Sequence, residues 1–213
     1  METAIEKKII KRKPGRPSTN EQRRKEILEK STECFIKFGF NKTTLDEIGL
    51  AIGFNKAALY YYFKNKEELF VQAINVQLKD GLGALKNKVA SLEGAEKQLL
   101  EYFFNRTKIY VKLIKLTSLS GENIIELNDT FNEIYAPFKK SEEVFVAGIV
   151  KNIAPKKSEA EQKDFVTMCF DVVNSMSFTA IILDNVTKKD SFLDIYNKKK
   201  DSLLKNLIVA YKN

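Results

Sequence analysis

The chain has 213 residues and is 44% hydrophobic, enough to bury a sizeable core in one large or two small domains, which excludes a disordered tail or a fibre. Lys and Arg number 36 against 28 Asp and Glu, a formal net charge of +8 that favours an anionic partner such as nucleic acid or a membrane surface. Histidine is absent, which excludes His-based nucleophile triads, His general bases and His-containing zinc sites, so neither metal nor cofactor is expected. Only Cys34 and Cys169 carry thiols. They are too few and too far apart for a zinc cluster or a disulfide framework, and their apolar helical surroundings predict buried thiols. The first residues are charged, and Ile9 and Ile10 make no apolar leader before the basic run, so a cytoplasmic location is expected.

Residues 1–75 hold 15 basic and 10 acidic side chains, net +5, leaving net +3 for the rest. Lys7, Lys8, Lys11, Arg12, Lys13 and Arg16 lie close together with no acid between them, and the stretch ends in Pro14-Gly15-Arg16-Pro17, which cannot continue a helix. Residues 1–17 therefore read as an extended basic arm. Its end resembles the core of an AT-hook, with Pro14 where that core has another arginine. The resemblance implies that Arg16 enters a narrow A·T minor groove. A solvated tail that adds unspecific phosphate attraction is the alternative.

Beyond the arm, apolar residues recur at three- and four-residue spacings, and no alternating run is bounded by hairpin turns, so the chain reads as all-α. Breaks are expected near Gly39, Gly53, Lys64 to Asn65, Gly81 to Gly83, Gly94, Gly121, Pro155 and Lys188 to Asp190, giving about nine or ten helices by the usual start and stop signals. The first should begin at Ser18 or Thr19, each followed three residues on by Glu21 or Gln22 in a capping box, and should bury Ile27, Leu28, Cys34, Phe35 and Phe38 up to the stop at Gly39. Thr44 with Glu47 is a further capping box, opening a short helix that buries Leu45, Ile48 and Ile52. Gly53 permits a sharp turn, Phe54 packs beneath it, and Asn55 caps a helix through Tyr62. Two short helices joined by a Gly turn form a helix-turn-helix. Its second helix has small Ala57 and Ala58 beside Lys56 in the first turn, inward Leu59 and Phe63, and hydroxyls of Tyr60, Tyr61 and Tyr62 over much of the remaining surface, suited to phosphate and thymine-methyl contact. Asn65 with Glu68 caps the next helix, and Lys66 stands at its start as a phosphate anchor.

The run Thr43-Thr44-Leu45-x-x-Ile48, followed by Gly53-Phe54-Asn55-Lys56-Ala57-Ala58-Leu59-Tyr60-Tyr61-Tyr62-Phe63-Lys64-Asn65-Lys66-Glu67-Glu68-Leu69, resembles the DNA-binding domain of the TetR family of transcriptional regulators over about residues 20–72. The resemblance implies a major-groove helix from Asn55 to Tyr62 in which Asn55, Lys56, Ala57, Tyr60 and Tyr61 contact DNA. It also implies phosphate contacts from Thr44, Lys66 and Tyr62, the last standing where the family often has His. Gly49 departs from the small helix former usual there, which is expected to loosen the second helix.

The remaining two thirds carry no recognisable chemistry. Glu96 to Leu116 is too broadly apolar for a surface helix. Residues 129–153 continue the pattern, with a kink or restart expected at Pro137. The resemblance implies a small-molecule pocket between these helices, for which Tyr102, Phe103, Tyr110 and Tyr135 are candidate lining residues, ordinary core packing being the alternative. Asp164 to Asp184 is apolar on two sides yet carries Asp171, Asn174, Ser175 and Ser177, which argues for a buried helix over a membrane span. Leu203, Leu204, Leu207, Ile208 and Tyr211 form a matching stripe. Two such helices from each of two subunits would make the four-helix dimer interface that the resemblance implies.

The expected architecture is a three-helix helix-turn-helix DNA-binding domain, residues 18–75, joined to a larger helical ligand-binding and dimerisation domain, residues 76–213. The expected function is that of a homodimeric transcriptional regulator, a repressor released from its DNA operator by a small-molecule effector. An architectural A·T-rich DNA binder without effector is the alternative. An enzyme is not expected, since the chain has no histidine, P-loop or Gly-rich dinucleotide fingerprint.

Overall fold

The computed structural model describes residues 19–187 and 191–213. The basic arm with Arg16, the capping box at Ser18 and the break at Lys188 to Asp190 lie outside the described residues. Among those residues the chain folds into helices α1 (Thr19–Phe38), α2 (Leu45–Ile52), α3 (Lys56–Tyr62), α4 (Lys66–Ala90), α5 (Ala95–Leu116), α6 (Gly121–Glu126), α7 (Asn128–Ile153), α8 (Glu159–Thr187) and α9 (Ser191–Lys212).

α1 buries Ile27, Leu28, Cys34 and Phe35 against α4, but Phe38 is 45% exposed, contrary to expectation. Gly39 (φ 81°) reverses the chain just after it, and buried Phe40 turns back into the core to meet Phe70 at 4.7 Å and Phe35 at 6.1 Å. The place expected for Phe38 is thus taken by Phe40. α4 runs unbroken through Gly81 and Gly83, where a break was expected. Helical glycine costs only about 0.5–1 kcal/mol, and at Gly81 its lack of a side chain admits α5, since a Cβ there would lie 3.3 Å from Ile109. Nor does the chain restart at Pro137, which sits inside continuous α7 on its solvent side. The Glu133 carbonyl left without a helical partner is also on an exposed residue, where water can satisfy it.

One apolar core runs from Ile27 in α1 to Ile208 in α9, and a smaller cluster joins Ala180, Ile181 and Tyr196. Full burial of side chains such as Leu69, Leu82 and Leu99 stabilises the fold by about 1.5–3 kcal/mol each. The domain boundary expected after residue 75 falls within α4, whose first turns pack on α1 and whose later turns pack on α5 and α7. By length and composition α8 could cross a membrane. Here it buries Phe165, Val166, Cys169, Phe170 and Val173 in the core, and its Phe165 ring stacks on Tyr211 of α9 at 4.0 Å. Leu204 and Ile208 of the α9 stripe are also buried, while Met168 and Phe178 of α8 and Ile195 and Val209 of α9 stay exposed.

Candidate functional site

The helix-turn-helix is built by its caps. The Thr44 backbone N–H donates to Glu47 Oε2 at 2.8 Å, and the Glu47 N–H donates to Thr44 Oγ1 at 3.2 Å, so the capping box exists as expected. Gly53 ends α2 in the left-handed conformation (φ 72°), and the Phe54 N–H returns to the Gly49 carbonyl at 2.8 Å. This approach is close enough that a Cβ on Gly49 would lie 2.6 Å from the Phe54 carbonyl oxygen. Gly49 therefore does not merely loosen α2; it makes the tight turn sterically possible. Asn55 Oδ1 accepts from the Ala58 N–H at 2.8 Å to start α3, and Asn65 Oδ1 accepts from the Glu68 N–H at 2.8 Å to start α4. Leu59 and Phe63 are buried, with the Arg24 guanidinium 4.9 Å from the Phe63 ring centroid, and these contacts fix which side of α3 faces outward. Ile52 is only half-buried.

On the outward side, Tyr61 is 75% and Tyr60 50% exposed, with Lys56, Ala57 and Asn55 also exposed. Half-buried Tyr62 sits edge-on to Tyr61 at 5.0 Å. Lys56 Nζ lies 3.3 Å from Asp46 Oδ2 across the two helices, a solvent-screened pair that a phosphate can displace. Thr44 is exposed but already engages Glu47. Lys66 Nζ donates to the Phe40 carbonyl at 3.2 Å and lies 4.3 Å from the Phe40 ring centroid, tying α4 to the α1–α2 turn. Both thiols are buried, and burial pushes Cys169 up to about 12 and Cys34 upward as well.

A cavity of about 280 Å³ lies among α4, α5, α6, α7 and α8. Of the four candidate lining residues, Tyr110 and Tyr135 stand in its wall, whereas Tyr102 and Phe103 do not. Both are fully buried at a point where Phe170 of α8 closes on α5, the Phe103 and Phe170 rings being 5.2 Å apart. One turn further along α5, the sequence reading missed Arg106. Its Nε donates to Glu142 Oε1 at 2.9 Å, its Nη1 to Asn174 Oδ1 at 2.8 Å and its Nη2 to the Tyr110 hydroxyl at 3.4 Å. The Tyr102 hydroxyl also donates to Glu142. Burial first, then the Glu142 charge, raises the Tyr102 phenol well above its ordinary range, so the network holds its protons. Its partners lie 36 and 68 residues apart, a separation that no local spacing reveals.

Two wall residues of the cavity contact the turn ahead of the helix-turn-helix. Phe70, in its wall, meets Phe40, and Thr117, also in its wall, accepts the Phe40 backbone N–H at 3.0 Å. The fold and this arrangement are those of a helix-turn-helix transcriptional regulator with a helical companion body. Residues 27–73 match the model of bacterial regulatory proteins of the tetR family. Over 188 residues the chain is 24% identical to the negative regulator of the biofilm operon icaADBC, IcaR, of Staphylococcus epidermidis, covering 81% of this chain and 98% of that one. It is 31% identical over 118 residues to the regulator QacR of Staphylococcus aureus, spanning 55% of this chain and 56% of QacR. A TetR-family regulator from Mesorhizobium loti has the same fold, with a TM-score of 0.63 at 15% identity over 91% of this chain and 98% of that one. FadR from Bacillus subtilis, crystallised with stearoyl-CoA, aligns with a TM-score of 0.52 at 16% identity, over 86% and 97%. The helix-turn-helix is thus similar to that of the TetR family of transcriptional regulators, and these relatives and the shared fold support placing the chain in that family.

Proposed function

We propose that this regulator is a homodimeric repressor whose grip on a DNA operator is released by a small molecule in the cavity. The observation that carries this reading is the sharing of residues between the two sites: Phe70 and Thr117 wall the cavity and hold Phe40 at the start of the helix-turn-helix. A ligand that binds better when these contacts shift favours a state with misplaced recognition helices, and by linkage DNA lowers ligand affinity by the same factor. In this reading residues 18–75 bind DNA and 76–213 bind effector and partner. Asn55, Lys56, Ala57, Tyr60 and Tyr61 face the major groove, with Thr44 and Tyr62 at flanking phosphates. Lys66 reaches a phosphate only by leaving Phe40. Exposed Met168, Phe178, Ile195 and Val209 give α8 and α9 an apolar outer face for a second copy. IcaR's description as a negative regulator supports repression, and the stearoyl-CoA held by FadR supports a ligand-binding companion body.

Footprinting on duplexes selected from random sequence tests this reading. A single pseudo-palindrome with half-sites about 34–36 Å apart or a multiple of that is expected, with affinity falling steeply as salt rises. Diffuse A·T-rich protection would instead favour an architectural role, for which the cavity has no use.

A further inference from the structure

We infer that the cavity selects a small apolar acid and rejects lipophilic cations. This rests on the cavity being the effector site and adds the chemistry of the occupant. Most of its wall is hydrocarbon and aromatic, including Ile74, Leu113, Ile124 and Phe131, so an apolar body is required. At about 280 Å³ the cavity stands at the small end of ligand pockets, so a small occupant is favoured.

The charge around that space has one sign. Among the described residues no Asp or Glu lines the cavity, while Arg106 and Lys139 do. Glu142 is the nearby buried carboxylate, but it is fully buried behind Arg106 and accepts from both Arg106 and Tyr102. Lys139 is exposed and only loosely paired with exposed Glu143 at 3.9 Å, so a carboxylate at the cavity's edge can take its place. Tyr135 also lines the cavity, and its buried hydroxyl has no hydrogen-bond partner among the described residues.

Aromatic walls can instead hold a quaternary ammonium, provided ring faces are free to meet it. Here Phe131 and Tyr135 stack on each other at 5.0 Å with 18° between planes. The Arg106 guanidinium already lies 4.7 Å from the Tyr110 ring centroid, and Phe70 is engaged by Phe35 and Phe40. A cation entering this space meets Lys139 at its edge and, among the described residues, no carboxylate in its wall.

The test is calorimetric titration of the full-length protein with octanoate, 1-octanol and octylammonium, straight-chain probes of closely similar size that differ in head-group charge. Octanoate should bind at least about tenfold more tightly than octylammonium. Its lead over octanol should be lost in Lys139→Gln, and Ile124→Phe, which fills the cavity, should weaken every probe that binds. An ammonium that binds as tightly as octanoate, an alcohol that matches it, or an octanoate preference unchanged in Lys139→Gln overturns the charge preference while leaving the cavity as a ligand site. Saturable binding by none of the probes, or binding indifferent to Ile124→Phe, overturns the ligand site and this inference with it.

Discussion

The backbone N–H of Phe40 donates to the carbonyl oxygen of Thr117 at 3.0 Å, joining the turn ahead of the helix-turn-helix to the end of the helix that walls the cavity. The surrounding chain is shaped for this contact. Ser118 takes a positive φ of 51°, rare for a residue with a side chain, and a Cβ on Gly39 would lie 3.3 Å from the Ser118 Cβ.

Gly39→Ala is therefore expected to destabilise the fold on two counts, its positive φ and its approach to Ser118. A loss of about 1–2 kcal/mol is expected, a Tm drop of roughly 2–8 °C. Thermal unfolding followed by circular dichroism measures it, and an unchanged Tm would mean that this junction is not tightly held.

Glycines inside helices should separate cleanly. Gly49→Ala drives a Cβ against the Phe54 carbonyl and should cost about 1–3 kcal/mol, with weaker DNA binding as α3 shifts. Gly83→Ala meets nothing within 4 Å on a continuous helix and should stabilise by about 0.4–1 kcal/mol. Urea unfolding of the two variants should move the midpoint in opposite directions.

The contrast between these glycines shows where local sequence suffices. Thr44 with Glu47, Asn55, and Asn65 with Glu68 form caps within three residues of chain, so the helix-turn-helix could be read from spacing. Gly81 and Gly83 carry the same local signal as a helix stop, yet tertiary packing on α5 and α7 overrides it. Phe38 and Phe40 are both aromatic neighbours of Gly39, and only the reversal at that glycine decides which is buried. For the cavity, Phe103 and Tyr110 share a face of α5, and what separates core from lining is where Phe170 of α8 closes on it. That depends on a contact 67 residues away in the chain.

The buried pair Arg106 and Glu142 should be costly to break from one side. Glu142→Leu leaves a buried guanidinium without its counter-charge and should cost about 3–5 kcal/mol. The double variant Arg106→Met with Glu142→Leu should recover much of that loss, because both desolvated charges are then gone. Urea denaturation of the single and double variants measures the difference.

Cys169 should be inert in the folded protein. Burial raises its thiol from an ordinary 9.0 to about 12, so a disulfide reagent at pH 8 should label it only on unfolding. The folded chain holds this proton more tightly than the unfolded one. Its contribution to stability is therefore intact below about pH 9 and is lost as pH rises toward 12. Rapid labelling of Cys169 in the native state would contradict its burial.

The most direct test of α3 as the DNA-reading element is the affinity of a Lys56→Ala, Tyr61→Phe double variant for the footprinted duplex. Both side chains are exposed, and the Lys56–Asp46 pair contributes no more than about 1 kcal/mol, so the fold and Tm should be nearly unchanged. Affinity should fall at least about tenfold, and the dependence on salt should become shallower by about one counterion per subunit. A folded double variant that binds the duplex as tightly as wild type, with the same salt dependence, would contradict the account.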